Sequence, residues 1–257
     1  MPLPAAPSVW LPPSDEAILR WPLPGAPAGC HWLLRGLSLI ARRKVLAIRG
    51  LENIRRDPFI LALNHSTRTE SVLVPALLFL YRGGRIIHFL ADWNFRLIPG
   101  VGPIYDRAET ITVTRKPARP RLFNLLKPLY RQRLTALERA RAQLSAERSV
   151  AFFPEGAVNR DPQRLLAGRR GAARLSLETG VPVVPAGIRF PRAGAGELIG
   201  DLAAMEVEIG TPLFPPAIAS AWAPLADVRA WHAVIMNEIS RLAGKRWTSP
   251  WENRNGQ

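Results

Sequence analysis

A chain of 257 residues, 47% of them hydrophobic, has the material for one large α/β domain or two small ones around a core of ordinary size. A net charge of +15 excludes indifference to polyanions: phospholipid headgroups, nucleic acid and the phosphates of a cofactor such as coenzyme A are all attracted. The single cysteine, Cys30, excludes an internal disulfide framework and fits a reducing compartment.

Met1 to Ala28 carries Pro2, Pro4, Pro7, Pro12, Pro13, Pro22, Pro24 and Pro27, which disfavours both helix and sheet and predicts a segment that wraps the surface or is disordered. Trp10 and Trp21 predict that part of it docks, on the domain or on a lipid interface. Cys30 and His31 are poorly spaced for a metal and read as structural. His31 to Lys44 reads as an amphipathic helix with Trp32, Leu33, Leu37 and Ile40 inward and Arg35, Arg42, Arg43 and Lys44 at its margin and end. Such a helix can pack on a core or lie in a membrane interface. Val45 to Ile48 reads as a strand and Gly50 to Arg56 as a turn.

An apolar strand from Phe59 to Leu63 then runs into Asn64-His65-Ser66-Thr67-Arg68-Thr69-Glu70. Ser66 or Thr67 can cap the apolar helix that begins at Val72. This puts His65 at the strand exit and Glu70 near the first helical turn, close enough to touch. A carboxylate that fixes the tautomer of a histidine and stabilises its imidazolium equips it as a general base toward a hydroxyl. By itself the signal is weak, because a histidine at a strand end is more often a satisfied structural residue than a catalyst.

Downstream, Arg85 to Leu90 reads as a buried strand, Leu97 to Pro103 as a loop able to shape a pocket, and Thr110 to Thr114 as a β-branched strand ending at Arg115 and Lys116. An arginine there can grip a phosphate bidentately. Arg121 to Glu147 reads as helical, with one leucine stripe before Pro128 and a second, of Leu134, Leu137 and Leu144, after it. Ser149 to Phe153 is a strand that ends in Pro154-Glu155-Gly156, where the backbone can approach a ligand and the carboxylate can accept from hydroxyls. Leu165 to Glu178 reads as a helix bearing Arg169, Arg170 and Arg174. Val181 to Ile188 and Met205 to Ile209 read as strands. Asp227 is the expected cap of a final helix with Val228, Trp231, Ile235, Ile239 and Leu242 inward and Gly244 as its stop.

This alternation predicts an α/β fold: a single domain with a mixed central β-sheet flanked by helices and an N-terminal amphipathic helical segment. Residues 1–30 form the proline-rich segment and 31–257 the domain, with a motif-bearing core at 57–215 and a C-terminal helix at 225–244. No stretch reaches the roughly 18 to 20 apolar residues needed to span a bilayer, and no secretory signal is visible. The expected location is cytoplasmic, peripheral on the inner face of the membrane.

Four blocks, in order, resemble the PlsC-like glycerolipid acyltransferase family, typified by bacterial 1-acylglycerol-3-phosphate acyltransferase. The family's N-H-x-x-x-x-D is matched by Asn64, His65 and Glu70. Its strand ending in arginine is matched by Ile111-Thr112-Val113-Thr114-Arg115, its F-P-E-G-T-R-S by Phe153-Pro154-Glu155-Gly156, and its V-P-I-V-P-like strand by Val181-Pro182-Val183-Val184-Pro185. There are two departures. Glu70 stands in place of aspartate, and Ala157-Val158-Asn159 in place of T-R-S, so an acceptor-contacting arginine is replaced by Val158. The Gly-x-Val-Asn tail also resembles the lysophospholipid transacylase branch.

The resemblance implies transfer of a fatty acyl group from acyl-CoA or acyl carrier protein to a lysolipid hydroxyl, with His65 as base and Glu70 orienting it. It implies substrate contacts at Asn64, Ser66, Arg115, Phe153, Pro154, Glu155 and Gly156, with Arg160 and Arg169 able to add to a phosphate grip. Lysophosphatidic acid leads as acceptor, followed by another lysophospholipid or an amino-acid-containing lysolipid. No metal and no cofactor beyond the acyl donor are implied, and the membrane surface and its anionic lipids are the expected partners. The competing readings are an inactive lipid- or partner-binding homologue with a misaligned dyad, and a nucleic-acid-binding protein. The latter is disfavoured because aromatic and basic residues do not interleave and no zinc-finger or RNP-like pattern is present.

Overall fold

Apolar runs too short for helices and bounded by Gly, Pro or Asn become the central strands, and the helices between them cover both faces of the sheet. The computed structural model describes residues 8–54, 56–97, 106–107, 109–113, 117, 121–130, 133–194, 196–217 and 222–251. Its strands are β1 (Val9–Trp10), β2 (Val45–Arg49), β3 (Ile60–Leu63), β4 (His88–Asp92), β5 (Ile111–Val113), β6 (Val150–Phe152), β7 (Val183–Arg189) and β8 (Met205–Ile209). They form one sheet in the order β1-β2-β8-β7-β3-β6-β4-β5. The block β7-β3-β6-β4-β5 is parallel, whereas β8 runs antiparallel to β7 and β1 antiparallel to β2.

The helices are α1 (Asp15–Arg20), α2 (His31–Ala41), α3 (Glu70–Tyr81), α4 (Ala136–Ser145), α5 (Gly171–Thr179) and α6 (Leu225–Ala243). Strand β3 shows how the two layers are divided. Leu61 and Leu63 join α1, α2 and α3 in one apolar cluster, and Ile60 and Ala62 join α4, α5 and α6 in the other. Helix α3 is apolar on nearly every side and is buried accordingly.

Several boundaries differ from the sequence reading. The proline-rich segment is folded where described: Val9 and Trp10 pair with Arg49 and Ile48, and Ser14 caps α1 by accepting from the Ala17 N–H at 3.2 Å. Prolines are tolerated here because β1 is an edge strand and Pro12 and Pro13 lie between elements. Trp10 packs edge-on against Trp21 and Tyr81, at 6.5 and 6.0 Å between centroids. Helix α2 is rotated from expectation. Leu34, Ser38 and Ala41 are buried, while Trp32 and Ile40 are 76% and 56% exposed.

The region read as one broken helix is a 3-10 segment, Arg121–Tyr130, followed by α4, which starts only after a Thr135–Glu138 capping box. Leu134 therefore lies outside the helix and is exposed. Helix α5 begins six positions later than Leu165, because Leu165 N–H bonds to the Arg246 carbonyl and Gly168 takes a φ of +83°. Helix α6 begins at Leu225 after Pro224, and Asp227 falls in its first turn without capping it. The expected loop at 97–103 and Thr114 lie almost wholly outside the described residues.

Helix α6 crosses β7 so closely that a Cβ at Gly187 would lie 2.2 Å from both Ala243 N and Leu242 C. Gly187→Ala is expected to force the helix off the sheet and destabilise the fold by about 3 kcal/mol, as overpacking does. Chemical denaturation of the two proteins checks this.

Candidate active site

Parallel strands leave a crevice beyond their carboxyl ends. β3 and β6, which are neighbours in the sheet, deliver His65 and Glu155 to that edge. The His65 Nδ1–H donates to Glu70 Oε1 at 2.8 Å. Glu70 is the first residue of α3 and fully buried, and its Oε1 also accepts from the Ser66 N–H at 2.5 Å. Thr67 Oγ1 donates to Oε2 at 3.3 Å. Thr69, rather than Ser66 or Thr67, occupies the cap position, without a side-chain capping bond. Burial pushes the Glu70 carboxyl upward, against the pull of the His65 ring and of the Ser66 and Thr67 backbone. The extra methylene relative to aspartate is accommodated, since the longer arm reaches the imidazole at hydrogen-bond distance.

The other face of the arrangement holds the backbone. Glu155 Oε1 accepts from the His65 N–H at 2.9 Å, and its Oε2 accepts from Asn159 Nδ2 at 2.7 Å and Leu166 N at 2.9 Å. Asn64 Oδ1 accepts from Ile188 N at 2.7 Å and ties the loop to β7. Phe153 stacks on the imidazole at 4.3 Å. The His65 Nε2 has no hydrogen bond to a described group, and the residue faces a cavity of about 1100 Å³.

The cavity wall is apolar where α2, α3 and β4 supply it, through Leu33, Leu34, Leu37, Pro75, Ala76, Phe79, Ile87 and Phe89. It is basic where Arg107, Arg133, Arg169, Arg170 and Arg174 approach, and Asp92 is the one carboxylate among the described residues lining it. Gly156 takes a φ of +67°, which favours glycine, and a Cβ there would meet the Arg169 side chain, 2.5 Å from its Nε.

The residues expected at the substrate therefore separate into groups. His65, Phe153, Pro154, Gly156 and Arg169 line the cavity; Asn64, Ser66, Glu70 and Glu155 are buried behind that wall. Arg160, expected as a phosphate ligand, instead pairs with Asp201 at 2.5 Å and donates to the Ile199 carbonyl at 2.9 Å, away from the cavity. Arg115 lies outside the described residues. Sequence reasoning missed Lys245, whose Nζ donates to Ser66 Oγ at 2.8 Å, and Trp251, which lines the cavity. A cation just past a helix stop reads locally as a dipole partner, and nothing nearby points to the dyad.

The family model for acyltransferases matches residues 45–189, more than half of the sequence. The chain belongs to the acyltransferase family. Among solved structures its fold is similar to that of PlsC, the 1-acyl-sn-glycerophosphate (LPA) acyltransferase of Thermotoga maritima, with a TM-score of 0.54 at 20% identity, covering 85% of this chain and 82% of that one. A search of curated proteins finds no match.

Shortening the carboxylate arm withdraws it from Nδ1, so Glu70→Asp is expected to lower kcat/KM for acyl transfer about tenfold. Glu70→Gln is expected to cost roughly a thousandfold, because an amide neither fixes the tautomer nor stabilises imidazolium. Steady-state kinetics of both variants, with folding verified by circular dichroism, decide it.

Proposed function

We propose that the protein transfers a fatty acyl group from acyl-CoA or acyl carrier protein to a lysolipid hydroxyl, with 1-acylglycerol-3-phosphate as the leading acceptor. The observation that carries this reading is the position of His65 on a single cavity with an apolar wall for acyl chains and a basic wall for anionic groups. His65 Nε2 removes the hydroxyl proton as the oxygen attacks the thioester carbonyl, and Glu70 stabilises the imidazolium. The tetrahedral intermediate then expels the thiolate, which recovers the proton from His65. Apolar walls keep water from competing for the acyl group.

The steps need no metal and no cofactor beyond the donor, because the substrates bring both the hydroxyl and the activated acyl group. Arg169 and Arg170, with Arg115 as expected from the sequence, supply the grip on phosphate. Asn64, Ser66 and Glu155 hold the histidine loop. A second acceptor class is supported by Val158, which lines the cavity where relatives carry arginine, and by the engagement of Arg160 with Asp201. Both features favour another lysophospholipid or an amino-acid-containing lysolipid.

No helix among the described residues is long and apolar enough to cross a membrane. We place the protein on the cytoplasmic face of an anionic bilayer. Trp32 and Ile40 project from the outer face of α2 beside exposed Arg43, while Leu33, Leu34 and Leu37 of the same helix line the cavity. An acyl chain can then pass from lipid to the dyad along one helix.

Long-chain acyl-CoA and acyl carrier protein, each offered with a panel of lysolipids, should give product with the wild type and none with His65→Ala. Equal turnover by that variant, or none by the wild type with any pair, would defeat the reading. Separately, W32E/I40E should lower sedimentation with anionic vesicles about tenfold while leaving the far-ultraviolet spectrum unchanged. Unaltered vesicle binding would remove α2 from the membrane contact.

A further inference from the structure

Lys245 lies outside the segment matched by the family model, yet it reaches the dyad. Gly244, at a φ of +65°, turns the chain off the end of α6. The next residues are clamped beside residues 163–165, with Arg246 N–H donating to the Gln163 carbonyl at 2.7 Å and Leu165 N–H to the Arg246 carbonyl at 2.8 Å. That clamp directs the Lys245 side chain inward, where it is 6% exposed. Its Nζ donates to Ser66 Oγ at 2.8 Å and to the Asp161 carbonyl at 2.7 Å. It does not line the cavity.

The charges around it explain why a cation is held there. Glu70 bonds the His65 ring and Glu155 bonds the His65 backbone, so two buried carboxylates hold the one residue. The groups facing the ammonium are Glu155, Glu70 and Asp161. Nearby, Arg160 is matched by Asp201, whose carboxylate also accepts from the Arg68 N–H, so that pair brings no surplus positive charge. Carboxylates beside an imidazole favour its protonated form, and a neighbouring cation opposes them. We propose that Lys245 is a positioning residue of the dyad: its buried ammonium fixes the Ser66 turn and offsets the negative charge that Glu70 and Glu155 place around His65. Burial pulls the lysine itself downward, and the three carboxylates oppose this.

The inference rests on His65 acting as the base, so the deciding measurement does not depend on turnover. The His65 ring is titrated by NMR in the folded wild type, in Lys245→Gln and in Lys245→Arg, its signals assigned by their loss in His65→Ala. Removing the charge should raise the His65 midpoint by about one pH unit, while arginine should leave it near the wild-type position. Lys245→Met, neutral and of similar girth, is the second variant if glutamine prevents folding. An unchanged midpoint in a folded neutral variant overturns the proposal, whatever the substrate proves to be. In turnover, the acid limb of kcat/KM should move upward by the same amount with KM unchanged; a rise in KM with an unmoved limb would instead assign Lys245 to substrate binding.

Discussion

The carboxyl edge of the sheet depends on burying the Glu70 carboxylate with every lone-pair direction that matters occupied. An ionised carboxylate removed from water without partners is prohibitively unfavourable. Here the imidazole, the Ser66 amide and the Thr67 hydroxyl meet it together. Those bonds define the loop between β3 and α3, so the solvation requirement of one side chain also orients the histidine. Glu155 applies the same logic from β6, where a buried carboxylate anchors the His65 amide and the 159–166 loop at once. The two acids serve different ends, one toward the ring and one toward the backbone.

Chemistry at this edge is framed by the asymmetry of the two helical layers. Helices α2 and α3 bring aliphatic and aromatic side chains, while the approach to α5 brings Arg169 and Arg170 with no carboxylate to neutralise them among the described residues around the cavity other than Asp92. Arg174 is partly satisfied by Glu178 at 3.6 Å. An amphiphile entering such a space is sorted by its own chemistry, with its tail against the first layer and its anionic end toward the second. The +15 net charge is thus partly concentrated where a phosphate-bearing molecule would meet the dyad.

Much of this was legible from local pattern. The runs Phe59–Leu63, Ser149–Phe153 and Val181–Ile188 announced central strands, and all five residues of the stripe from Val228 to Leu242 are buried on α6, where His232, Met236 and Ala243 join them. Errors arose where a long-range contact outweighed the local signal. Leu165 and Leu166 look helical, yet their amides are claimed by Arg246 and Glu155. Arg160 looked like a phosphate ligand until Asp201, far along the chain, engaged it. On α2 the hydrophobic periodicity was real, but its apolar residues are spread widely enough that only the neighbouring α3 decides which of them are covered.

By itself the sequence determined the alternation of strands and helices, the family motifs and the His65–Glu70 pair, because the partners lie five positions apart and a strand-to-helix turn leaves their side chains few other places to go. Only the tertiary structure decided what surrounds that pair: Glu155 behind the loop, Lys245 beneath it, Arg160 turned away and Trp32 facing outward. Those placements follow from contacts between residues tens to hundreds of positions apart, whose energies come from burial and charge pairing in the assembled fold, and no local spacing encodes them.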